Sequence, residues 1–177
     1  GGGFWTNDRL SYPIDPGRDG LEGSLTNWLN RGIDAVHGYQ PRLHEPVTLG
    51  ERTYVPMEVG EKLGYALLER SITGRYRIAH TSSGNAPFRC GVIEENGGKQ
   101  LLFQGRNTFG EIDRVQITLD RGYEYELKLP RKEVFFIHTG VDSRIPTGLA
   151  SVEQITLYDG EGQDITESFF MSMGGIQ

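Results

Sequence analysis

The stretch Val115 to His138 reads VQITLDRGYEYELKLPRKEVFFIH, and it decides the fold of the second half of the chain. Val115, Ile117 and Leu119 alternate with polar residues. Tyr123, Tyr125, Leu127 and Leu129 do the same after Asp120-Arg121-Gly122. Period-2 alternation on both sides of a short Gly-containing turn predicts two half-buried strands in an antiparallel hairpin. On the outward face, Gln116, Thr118, Glu124, Glu126 and Lys128 are polar and of mixed charge, as suits a solvated surface. Val134 to Ile137 lacks a polar gap, so it is expected to be a strand covered on both faces and innermost in its sheet.

The same signals recur outward from this hairpin. Strands are expected at about 75–80, 88–94, 99–104, 111–119, 123–129, 133–138, 152–158 and 164–171. Glu95-Asn96-Gly97-Gly98 and Asp159-Gly160-Glu161-Gly162 are loops of hairpin length with the residues such turns need. Thr139 to Ser151, with Pro146 and Gly148, suits a crossover between sheets. Short strands at this spacing predict an antiparallel β-sandwich or jelly-roll of about eight strands over residues 74–177.

The N-terminal third reads differently. Residues 1–23 are broken by Pro13, Pro16, Gly17, Gly20 and Gly23 and are expected to form an irregular arm. A helix is expected over residues 24–37, with Ser24 as N-cap, Leu25, Trp28, Leu29, Ile33 and Val36 on one face, and Gly38 past its end. A short strand at Thr53 to Val55 and a second helix from Met57 to Arg70 follow. Pro56 suits the start of that helix, and Val59, Leu63, Ala66 and Leu67 share a helical face. The fold class expected is therefore mainly β (α+β), with residues 24–73 a helical segment packing on the sandwich and the whole forming one structural domain.

Bulk properties narrow the function. The chain has 177 residues, enough for a sizeable core, and 25 glycines, about twice average usage, as a turn-rich protein needs. Its net charge of −6 argues against nucleic acid, which demands a basic face. Arg70, Arg75 and Arg77 form the one basic cluster, and it reads as a solvated strand edge. The single cysteine, Cys90, excludes an intramolecular disulfide and lies in an apolar strand as an inert thiol. No run reaches the ~20 apolar residues of a membrane span. The start at Gly1-Gly2-Gly3 without Met reads either as an expression scar or as a tether left after removal of an upstream anchor. The second reading slightly favours an extracytoplasmic, membrane-tethered setting.

Motifs for chemistry are sparse. His37, His44, His80 and His138 have no zinc spacing, and His-Glu-x-x-His is absent. Ser82 and Ser83 follow His80 without the strand-turn-helix elbow of a serine hydrolase. Glu124 and Glu126 alternate on an exposed face. Gly105 to Gly110 lacks the lysine of a phosphate loop. Two Asp-bearing loops, around Asp15 and Asp19 and around Asp159 and Asp164, are the candidates for calcium, though neither completes an EF-hand pattern. No other cofactor is expected.

Aromatic residues at the two ends remain. Phe4, Trp5 and Tyr12 in the N-terminal arm, and Phe169, Phe170 and Met171 near the C-terminus, are too apolar for free tails. They are the expected partner-binding residues of a noncatalytic binding or assembly module that meets a protein partner or a second copy. Two alternatives stand beside it. One is a carbohydrate-binding sandwich with an exposed aromatic strip. The other is a hydrolase in which a carboxylate pair or one of His44, His80 and His138 converges with a second group.

Overall fold

The computed structural model describes residue 14 and residues 18–31 and 40–174. The described chain is mainly β, with antiparallel sheets and two helices, and divides into two compact units, residues 1–86 and 87–177.

The first unit contains α1 (Arg18–Leu29) and strands β1 (Arg42–Leu43), β2 (Val47–Leu49), β3 (Arg52–Val59), β4 (Lys62–Arg70) and β5 (Tyr76–Gly84). The helix lies six residues earlier than its expected position, directly after Pro16-Gly17 in the sequence. Gly20 and Gly23, two of the breakers that suggested an arm, are accommodated inside this helix. Ser24 is thus inside the helix, and Leu21 and Leu25, one turn apart, carry its buried face. Gly38 and the expected last turn, with Ile33 and Val36, fall outside the described residues.

Residues 57–70 are not a helix. β3 and β4 form a hairpin closed at Val59↔Lys62 around Gly60-Glu61. Gly60 has φ 63° and Glu61 does not have positive φ, the φ signs of a type II′ turn with glycine in its first position. Leu63, Ala66 and Leu67 fit a helical face because β4 is buried on both sides, and the fourth residue of that face, Val59, is the buried end of β3. β1 and β2 run along one side of β3, with β4 and then β5 on the other. Pro56 explains why that edge is split: it has no N–H to give, its carbonyl accepts the His44 N–H at 2.8 Å, and regular pairing resumes only at Val47↔Tyr54. Leu21 and Leu25 pack with Ile14, Leu43, Val55, Met57, Val59, Ala66 and Leu68 in one core.

The second unit contains β6 (Phe88–Glu95), β7 (Gly98–Arg106), β8 (Arg114–Leu119), β9 (Glu124–Lys128), β10 (Val134–Val141), β11 (Gly148–Leu149), β12 (Val152–Tyr158) and α2 (Thr166–Gly174). β6 and β7 turn on Asn96-Gly97, with φ 48° and 79°, as a type I′ hairpin requires. β8 and β9 pair with Thr118↔Glu124 nearest the Asp120–Gly122 turn, confirming the opening hairpin. A four-stranded sheet runs β10-β7-β6-β11 and a three-stranded sheet runs β12-β8-β9. The connection after β10 does carry the chain from the first of these sheets, through β11, to the second. β10 is an edge strand, not the innermost one. Its apolar run is still accounted for, since Val134 and Phe135 are buried and the strand comes alongside β9.

Both sheets feed one core. Val92, Leu101, Phe103 and Phe135 from the first meet Val115, Ile117, Leu119, Leu127 and Leu157 from the second. Val115 and Ile117 are fully buried, while Glu124, Glu126 and Lys128 are exposed, so the alternation was read in the correct phase.

The last element departs from expectation. Residues 166–174 are helical where a strand is expected over 164–171. The turn at Asp159 forms as expected, with the Asp159 N–H donating to Gln163 O at 3.0 Å, and Asp164 then makes a single bridge to Tyr158. From there the Asp164 carboxylate accepts the Thr166 N–H at 3.0 Å and the Thr166 hydroxyl at 2.6 Å, and the Phe169 N–H donates to Ile165 O at 2.9 Å. An acid placed to take the orphan N–H groups of a first turn favours helix over strand.

Candidate functional site

The C-terminal helix is where the expected partner-binding residues can be followed. Phe169 faces inward onto the core, its ring stacked on Phe88 at 5.6 Å between centroids. Phe170 meets both Phe88 and Phe169 edge-on, at 5.9 and 5.6 Å, and is 37% exposed. Phe88 is itself stacked on Phe103 at 5.3 Å, so the helix is fixed by a continuous run of phenylalanines. Met171 is 68% exposed and Met173 38% exposed. Phe169 and one edge of Phe170 bind α2 to its own unit, while Met171, Met173 and the rest of Phe170 are open to solvent. Phe170 and Met171 are among the residues expected from the sequence to bind a partner, and Met173 is not. Phe4, Trp5 and Tyr12 lie outside the described residues.

Of the acids proposed for calcium, Asp159 and Asp164 serve the backbone. Asp159 Oδ1 accepts N–H groups of Glu161 and Gln163, both at 2.9 Å, and Asp164 caps the start of α2. The Thr166 hydroxyl, then its N–H, holds the Asp164 carboxyl below the usual carboxylate range. Asp15 lies outside the described residues. Asp19 is in the first turn of α1, with its side chain also outside them. Among the described residues no group of three or more His, Cys, Asp or Glu gathers as a metal site would.

The histidines sit in separate surroundings. His44 Nε2 is 3.0 Å from Glu58 Oε2, with Arg42 Nη1 3.8 Å from the same oxygen, a cluster across the β1–β3 edge. The His80 ring stands edge-on to Tyr65 at 5.8 Å. His138 Nδ1 is 3.1 Å from Gln100 Oε1. His37 lies outside the described residues. Glu126 meets Arg114 at 3.4 Å on the solvated face of β9, beside exposed Glu124. Arg77 is paired with Glu69 through Nε at 2.9 Å, a strand-edge ion pair. Burial pushes the Cys90 thiol up to about 12, which suits its reading as an inert core side chain. Among the described residues no helix is long and apolar enough to cross a membrane.

Comparison with protein-family models, curated proteins and solved structures returned no match.

Proposed function

We propose that the chain is a noncatalytic protein-binding or assembly module, and that the outer face of α2 is part of the surface that meets its partner. One observation carries this reading: Phe170, Met171 and Met173 are exposed on a helix whose inner face is already satisfied by Phe88 and the core. Exposed apolar side chains gathered on one short element mark interaction surfaces, and methionine is suited to adaptable ones. In this reading the second unit is a small β-sandwich that serves as scaffold, since two antiparallel sheets feeding one core is the layer arrangement of that architecture.

A photo-crosslinking residue placed at position 171 is expected to form adducts with a protein, either another copy or a different chain. Met173→Glu is expected to suppress those adducts without changing the circular dichroism spectrum. Absence of any protein adduct, or adducts unaffected by the charge, would count against the reading. Calcium at the Asp159–Asp164 loop has no part in this account, because Asp159 Oδ1 and Asp164 Oδ1 already accept backbone N–H groups. Adding calcium or EDTA should leave the melting temperature unchanged, and a calcium-dependent rise would overturn that part.

A further inference from the structure

At the opposite end of β8 from Arg114, the second unit holds a shallow cleft lined by Arg121, Tyr123, Arg144, Ile145, Leu149 and Ser151. Its floor is apolar, since Leu119 and Ile145 are buried. Its rim is built from the Asp120–Gly122 turn on one side and the strand β11 segment on the other, tied together where the Asp120 N–H donates to Ser151 O at 2.8 Å.

Arg144 is held in place before any ligand arrives. Its Nε donates to Asp142 Oδ1 and its Nη2 to Asp142 Oδ2, both at 2.9 Å, and its backbone N–H reaches the same carboxylate at 2.8 Å. Asp142 is fixed in turn, its N–H donating to the Tyr125 hydroxyl at 2.9 Å. The guanidinium also lies 5.7 Å from the centre of the Tyr123 ring. A guanidinium has five N–H donors in a planar fork, so engaging Nε and Nη2 leaves the Nη1 side able to take a second planar anion. Asp142 is consumed by this clamp. Asp120 also lines the cleft, and its Oδ1 accepts the Arg121 N–H at 3.0 Å.

Arg121 contributes an unusual feature. Its φ is 68° and its ψ 14°, a left-handed conformation that favours glycine or asparagine, yet the position holds arginine. Its side chain lines the cleft. Leu149, on the facing rim, is 93% exposed, although it belongs to a strand. The turn between β8 and β9 accounts for the positive φ of Arg121 and of Gly122 (81°), and it sets the Arg121 side chain on one rim of the depression whose other rim carries the exposed Leu149.

We propose that this cleft binds a carboxylate, gripped by Arg144 and Arg121, while the apolar body of the same ligand lies on Tyr123, Ile145 and Leu149. Carboxylate geometry matches the guanidinium fork, and the lining supplies an aromatic and two aliphatic surfaces beside it. The carboxylate can come from a free small molecule or from a polypeptide. The site is separate from α2, so its fate does not decide the role of the helix.

The test is an amide-shift titration of the isotopically labelled full chain with four probes: benzoate, benzamide, a short peptide ending in phenylalanine with a free carboxyl, and the same peptide amidated. Saturating shifts at residues 119–123 and 144–151 are expected with the carboxylates and not with the amides. Response to benzoate alone assigns a free small ligand, whereas tighter binding of the acid peptide assigns a polypeptide source. Arg144→Gln is expected to weaken binding by about tenfold or more, the usual consequence of losing a charge-assisted hydrogen bond. Arg121→Gly should weaken it similarly while raising the melting temperature, because it relieves the left-handed arginine. Absence of saturable shifts at these residues, equal response to the amides, or undiminished affinity in both variants would overturn the proposal.

Discussion

Gly64 and Gly105 both occupy strand positions that admit no side chain, but for different reasons. A Cβ on Gly64 would come within 1.9 Å of Ser82 O and 2.7 Å of Ser83 Cα, both backbone atoms of the neighbouring strand β5. A Cβ on Gly105 would meet Phe88 Cδ1 at 2.5 Å and Phe135 Cζ at 2.8 Å, the rings of its two cross-strand partners. Rings can tilt away, whereas a paired strand must shift as a whole. Gly64→Ala should therefore cost near or above the upper end of the ~1–3 kcal/mol typical of overpacking, and Gly105→Ala nearer the lower end. Urea midpoints of the two variants check the order, and Gly105→Ala as the more damaging change would refute the argument. Asp142 supports a second prediction at this scale. The Arg144 side chain, then its backbone N–H, holds the Asp142 carboxyl down to about 2. A depressed acid stabilises the fold above its unfolded pKa, roughly 3.9, and that contribution is lost as pH falls through the folded value. A carboxyl carbon titration should show the Asp142 midpoint near the bottom of this window, moving up toward the ordinary range in Arg144→Gln. Unchanged midpoints in the two proteins would mean that Arg144 is not the cause.

Among the elements, β8 and β9 were legible from their solvated face, β7 from the glycine turn before it, and β4 was not legible as a strand. β8 and β9 alternate because Glu124, Glu126 and Lys128 face water while Val115, Ile117 and Leu127 face the core. β4 has no such face, so Leu63, Ala66 and Leu67 satisfied a helical template equally well. Gly60 at a hairpin turn and Pro56 beside a split edge were the local signals that could have decided the matter. The C-terminal helix was missed although Asp164-Ile-Thr-Glu167 precedes the apolar run Phe169-Phe170-Met171, an acid-x-x-Glu spacing that marks helix starts. That spacing carries a third prediction. Asp164 Oδ1 accepts both the N–H and the hydroxyl of Thr166, while Thr166 Oγ1 accepts the Leu157 N–H at 2.8 Å, joining the helix start to β12. Asp164→Ala should lower the melting temperature and speed amide exchange through residues 166–170, whereas Asp164→Asn should retain most of the cap. Equal exchange in all three proteins would show that the helix is held by its phenylalanines alone. Phe170 and Met171 stood out by composition as apolar residues near a terminus, but that they are exposed on one helix required the structure.

At the scale of the whole molecule, the described core is two clusters with no residue in common. One gathers α1 and the sheet of β3, β4 and β5; the other gathers the two sheets of the second unit with Phe169 of α2. Strand patterns become continuous in the sequence from residue 74, whereas the chain divides into its compact units between Ala86 and Pro87. The cause is that β5 follows the new pattern but hydrogen-bonds to β4, and pairing partners cannot be read from alternation alone. Separate clusters should respond separately to damage. Phe103 is fully buried at the centre of the second cluster, against Phe88 and Phe135. Phe103→Ala removes that packing and should cost about 3–5 kcal/mol, the range for deleting a buried aromatic ring. Native-state hydrogen exchange should then show protection falling in β6 to β9 while β3 and β4 keep theirs, because none of their buried contacts in the first cluster involves Phe103. A parallel fall in β3 and β4 would mean that the two units open as one cooperative block despite their separate cores.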